Sequence, residues 1–126
     1  MKPHVFTAEL DVKRNVLRVG FHGVVTGARL QREAERMEEL LKQLQPAFVV
    51  IADLTEVEVM DLDCLPAVTR LMDLYLAAKV GRVVRVIPDA AKDIGFNILS
   101  ITHYRGKVPT LTCETRAEAE ATLGQA

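Results

Sequence analysis

Patterns that carry chemistry are scarce in this chain of 126 residues. Its two cysteines, Cys64 and Cys113, lie far apart, without Cys-x-x-Cys spacing or a histidine nearby in sequence. Neither a disulfide framework nor a metal site is expected from them, and reduced thiols in a cytosolic setting are. The histidines His4, His22 and His103 stand singly, with no carboxylate or cysteine at ligand spacing. There is no Gly-x-Ser-x-Gly elbow, and Ser100, the sole serine, falls inside a predicted helix. The glycines of Gly20-Phe21-His22-Gly23 and Gly27 fit neither the dinucleotide fingerprint nor the phosphate loop, and they read as a turn ahead of the first helix. A protein that binds without catalysis, cofactor or metal is expected.

Charge of one sign is lacking too. Sixteen Lys and Arg against seventeen Asp and Glu leave a net charge of −1, and the basic side chains are scattered singly. Nucleic acid is excluded as an expected partner, because that affinity rests largely on clustered cations. The longest apolar run, Ala47 to Ala52, is too short to span a bilayer. Met1-Lys2-Pro3-His4 leads directly into alternating residues, without the apolar stretch of a signal peptide. A cytoplasmic protein with no membrane span follows as the expectation.

What is present suffices for one core. With 49% hydrophobic and 26% charged residues, the chain reads as a single domain over 1–126. A chain of this length buries roughly two thirds of its unfolded surface, so it needs no staple.

Val5 to Leu10 and Val16 to Phe21 are rich in β-branched and aromatic residues and flank a polar connection, which predicts a β-hairpin. Leu30, Ala34, Met37, Leu41 and Leu44 then recur at helical spacing, with Thr26 as N-cap and Pro46 marking the end. Phe48 to Ala52 is continuously apolar and predicts a central strand. A helix follows from Asp63 to Lys79, with Pro66 tolerated in its first turn and Gly81 ending it. Val83 to Ile87 predicts another strand, Ala90 to Thr102 a helix and Val108 to Cys113 a short strand. Thr115-Arg116-Ala117-Glu118 matches a capping box that opens a last helix. The order β-β-α-β-α-β-α-β-α predicts an α/β domain whose mixed, mostly parallel sheet opens with an antiparallel hairpin.

One segment stands out. Asp53, Glu56, Glu58, Asp61 and Asp63 place carboxylates between a buried strand and a helix start. Carboxylates so close repel one another, so the cluster serves helix capping, a cation or a basic partner. Capping would fall to Asp61 or Asp63, with the glutamates simply solvated. A hard cation such as magnesium would require Asp53 and Asp61 to converge.

The stretch Val49 to Leu65, followed by the helix and Val83 to Ile87, resembles the STAS domain. That family comprises bacterial anti-sigma-factor antagonists and the cytoplasmic domains of sulfate transporters. Its next helix opens with an Asp-Ser-Ser/Ala-Gly-Leu motif. Asp61-Leu62-Asp63-Cys64-Leu65 aligns with it without a gap, matching at Asp61 and Leu65. The hairpin and Thr110 to Leu123 are similar to the wider group of STAS-like domains related to Sec14-type lipid-binding proteins. The resemblance implies a STAS-like fold and a regulatory interaction module with a partner-binding surface at Asp61, Leu62, Asp63, Cys64 and Leu65. It implies a protein partner of the anti-sigma type, or a second copy in a homodimer, and on the Sec14 side a small apolar, lipid-like ligand.

The departures shape the mechanism. Leu62 and Asp63 stand where the family carries two serines, the second of which a partner kinase phosphorylates. Asp63 bears one negative charge, against roughly 1.5 to 2 on a phosphoserine, so the usual serine switch is not expected. Cys64 replaces a glycine and adds a side chain there. A further alternative, a phosphoacceptor resembling a two-component receiver, draws on Asp53 at the end of a buried strand. Receivers also need an acidic pair after the first strand and a lysine after a later one. Phe21-His22-Gly23 and Pro88-Asp89 occupy those places.

Overall fold

A computed structural model of the chain describes residues 4–60, 62–87 and 108–124. β1 (Phe6–Asp11) and β2 (Val16–Val25) form the expected antiparallel hairpin, with Phe6 opposite Phe21 and Asp11 opposite Val16. β2 runs past its expected end at Phe21. Gly20 to Gly23 therefore belong to a strand and not to the turn that their composition suggests, because β2 keeps a strand partner as far as Val25.

Thr26 caps α1 (Gly27–Glu33), its hydroxyl accepting from the Arg29 N–H at 3.4 Å. The single helix expected from Leu30 to Leu44 is instead two, since α2 spans Met37–Leu41. The break follows Glu33. Its carboxylate accepts from the backbone N–H groups of Val5 and Phe6 at 3.0 and 3.2 Å, which fastens the end of α1 to the start of β1. Leu30, Met37 and Leu41 still share the buried stripe.

β3 (Val49–Met60) lies parallel to β2, and β4 (Arg82–Val86) parallel to β3. Between them a 3-10 turn, Leu62–Cys64, leads into α3 (Leu65–Ala77), with Pro66 in the first turn where its missing N–H has no intrahelical role. Lys79, at φ 68°, and not Gly81, takes the left-handed position after this helix. β5 (Thr110–Cys113) adds parallel to β4. Thr115 then caps α4 (Arg116–Ala121) by accepting from the Glu118 N–H at 3.1 Å, as the capping box predicts, and a 3-10 turn, Thr122–Gly124, follows. The helix expected at Ala90 to Thr102 lies outside the described residues.

Among the described residues, five strands stand in sequence order, with one antiparallel pair and three parallel ones. Alternation along them divides the apolar side chains between two faces. Leu17, Val19, Phe21, Val50 and Val83 meet α1, α2 and α3 in the larger core. Val16, Ile51, Val84, Val86 and Cys113 meet Ala119 of α4 in the smaller one. α4 is also held to β2 by a two-pronged ion pair, Arg18 to Glu120, at 2.9 and 2.7 Å. Arg18 holds the Glu120 carboxyl below its ordinary pKa, and Glu120 in turn raises that of Arg18.

Candidate functional site

The acidic segment begins where the sheet narrows. β4 leaves β3 at the pair Asp53 and Val86, whereas β2 accompanies β3 onward to the pair Val25 and Met60. Sequence reasoning ended this strand at Asp53 and missed the extension. The signal was the alternation Glu56-Val57-Glu58-Val59, interrupted by two β-bulges. Gly20 to His22 run beside Asp53 to Glu56, and Gly23 to Val24 beside Val57 to Val59, so β3 carries one extra residue at each place. Gly23, at φ 65°, supplies the left-handed backbone at the second bulge.

At the near end the carboxylates are occupied from within the chain. Asp53 Oδ1 accepts from the Thr55 N–H at 2.9 Å, and Oδ2 is paired with Nε of Arg116. Arg116 also stands 3.7 Å from Glu56 and 3.4 Å from the Thr55 hydroxyl. The start of α4 thus brings a cation to the acids that the sequence left exposed. Beside them lies an open depression of about 320 Å³ lined in part by Arg18, His22, Asp53, Arg116 and Glu120, whose charges are largely paired with one another. Glu58 faces solvent at the second bulge.

The far end behaves differently. Asp63 does not cap its own helix: the N-cap of α3 is Cys64, which makes no side-chain capping bond. The Asp63 carboxylate instead accepts from the Gly27 N–H at 3.1 Å, meeting an unpaired donor in the first turn of α1. The two helix starts approach so closely that a Cβ at Gly27 would collide with the Asp63 carbonyl. Cys64 is buried, and its thiol donates to the Val25 carbonyl at 3.2 Å. Of the five residues expected to face a partner, Asp61 lies outside the described residues and the Cys64 side chain points inward.

What this end exposes is apolar. Leu62 is 82% exposed and Leu65 37%. Val24 and Val59, neighbours in register, are 52% and 49% exposed at the same end of the sheet. Single exposed apolar residues are ordinary, whereas a contiguous apolar patch makes a candidate contact surface. The sequence contained these residues but gave no reason to group Val24 with Leu62, because the β2 to β3 register brings them to one end.

This sheet order, with a helix start set beside the end of the central strand, is a SpoIIAA-like fold of the STAS type. The chain is similar to an uncharacterised protein of the DUF3478 family with a SpoIIAA-like fold from Shewanella loihica PV-4. The TM-score is 0.70 and the identity 15%, over 98% of this chain and 97% of that one. It is similar to the anti-sigma factor antagonist SpoIIAA in its unphosphorylated form, with a TM-score of 0.64 and 14% identity over 96% and 99% of the two chains. It is also similar to an anti-sigma factor antagonist from Mycobacterium paratuberculosis, with a TM-score of 0.52 and 19% identity over 98% of each. No protein-family model matches the chain, and no curated protein does. The STAS-like fold expected from Val49 to Leu65 is the fold observed, and at these identities the likeness is one of fold.

Among the described residues, no group of three His, Cys, Asp or Glu side chains is placed to hold a metal ion. No helix among them is long and apolar enough to cross a membrane.

Proposed function

We propose that this chain is a regulatory interaction module that docks a protein partner through the start of α3, from Leu62 to Leu65, without catalysis and without a serine switch. The exposure of Leu62 beside a helix start pinned by Asp63 carries this reading. An apolar side chain held out on an ordered turn gains on binding what it lacks in water, and its ordering cost has already been met by the fold. The fold neighbours described as anti-sigma factor antagonists support the same reading. Asp63 contributes its carboxylate to α1 and so acts as a fixed part of the scaffold. The surface is therefore constitutive.

A lipid-like ligand is less favoured. The apolar cavity between α3 and the sheet, lined in part by Phe21, Leu71, Met72 and Tyr75, holds about 50 Å³. Small-molecule sites take about 300 Å³ or more. A receiver-like phosphoacceptor is less favoured as well, because Thr55 and Arg116 already engage both oxygens of Asp53.

The test is affinity capture from the native cell with the wild-type chain and with Leu62→Asp. A partner retained by the first and lost by the second supports the reading. An identical set of partners on both removes Leu62 from the site.

A further inference from the structure

The open depression of about 320 Å³ lies on the face of the sheet that carries α4, away from α1, α2 and α3. Its floor follows the strand register. Thr7, Gly20 and Asp53 form one row across β1, β2 and β3, and Glu9, Arg18 and Ile51 form the next. Arg116 and Glu120 of α4 stand on its other side. Gly20 keeps the floor open. A Cβ there would come to 2.9 Å from Nε2 of His22 and 3.0 Å from Oγ1 of Thr7, two atoms that meet each other at 3.1 Å. The volume reaches the range of small-molecule sites, which begins near 300 Å³, whereas the apolar cavity between α3 and the sheet does not.

The charges around this depression do not balance. Glu120 and Asp11 hold Arg18 at 2.7 and 3.4 Å, so Arg18 does not answer Glu9, its neighbour in register. Asp53 and Glu56 hold Arg116 in the same way. Even with Arg14, which reaches Asp11 at 4.0 Å, three guanidinium groups meet five carboxylates, counting Glu9. Glu9 is exposed, and its carboxylate has no partner among the described residues. A recess with an excess of one sign concentrates ions of the other. A metal ion does not suit it, since no three acids among the described residues converge to hold one. We propose that the depression binds a small organic amine, a diamine in preference to a monoamine, with one ammonium group against Glu9 and the other toward Glu120, which is 41% exposed beneath α4. The site lies on the α4 face and the Leu62 to Leu65 docking surface at the start of α3, so each stands if the other fails.

The experiment is a nuclear magnetic resonance titration of the whole ¹⁵N-labelled chain with 1,4-diaminobutane. The amide signals of Thr7 to Glu9 and of Arg18 to His22 should shift and saturate. Butylamine, which makes one ion pair fewer, should bind about fivefold more weakly, and 1,4-butanediol and succinate should leave the signals in place. Glu9→Gln, at an exposed position on β1, should weaken the diamine about fivefold. Leu62→Asp should leave diamine binding as it is. Several results overturn the proposal: no saturating shift at these amides, shifts spread evenly over acidic residues outside the depression, or equal binding by butylamine, by the diol or by the Glu9→Gln chain. Capped lysine binding as tightly as the diamine overturns it too, because the occupant would then be a side chain of a partner protein.

Discussion

At Asp53 the carboxylate is closed off by a backbone N–H and the Arg116 guanidinium, and the acids around it serve the chain itself. At Asp63 the carboxylate is also used internally, on the Gly27 N–H, yet the residues on either side of it, Leu62 and Leu65, are left to solvent. Both regions look alike as sequence, a run of acids with apolar residues between them. The difference lies in which side chains the fold consumes. At the near end Asp53 and Glu56 are taken up as struts, and at the far end apolar side chains are left to solvent.

The sharpest way to break the contrast is to force apart the two helix starts. Gly27→Val places a branched side chain where the Asp63 carbonyl sits, and overpacking of this kind should cost about 2–3 kcal/mol, read as a lowered denaturant midpoint. The Asp63 strut alone should be worth less. Asp63→Ala leaves the Gly27 N–H without its acceptor and should cost about 1 kcal/mol, with Asp63→Asn recovering most of it, as urea unfolding of the three proteins would report.

The tie between α4 and β2 tests the near region in the same terms. Because Glu120 is partly exposed, solvent screening limits the loss in Glu120→Gln to about 1 kcal/mol. Its pH dependence has a definite sign. Arg18 lowers the Glu120 pKa in the folded chain, so the contribution is complete above the ordinary glutamate value of 4.5 and is lost as pH falls through the lowered one. The stability gap between wild type and Glu120→Gln should therefore be flat near neutrality and close below about pH 4.5, measured by unfolding across that range. The smallest effect belongs to Arg116→Ala. Arg116 is 60% exposed, and its loss should cost about 0.5 kcal/mol, visible as a slight shift in thermal midpoint.

Much of the fold was legible because its signals are local. The hairpin follows from alternation, Thr26 from capping preference, and the last helix from the Thr115 and Glu118 box. What stayed hidden depended on contacts distant in sequence. The helix break after Glu33 coincides with the tie of its carboxylate to Val5 and Phe6, a contact that the spacing of Leu30 to Leu44 cannot register. The long β3 was masked because bulges shift the alternation that identifies a strand. For the candidate site, the positions of Leu62 to Leu65 were legible from the motif that they align with. Their roles were not. Asp63 read as a cap of its own helix, and only the approach of Gly27 makes it a strut for α1. Arg116 carries no signal toward Asp53, since 62 residues of chain separate them and the sheet alone brings them together.

Hydrogen exchange of the chain, measured with and without a protein captured from the native cell, tests the central claim most directly. Slowed exchange over Leu62 to Val68, with Arg116 to Ala121 unchanged, is the result expected if α3 offers the docking surface. Protection confined to Asp53, Thr55 and the start of α4, with Leu62 to Val68 exchanging as in the free chain, would contradict it.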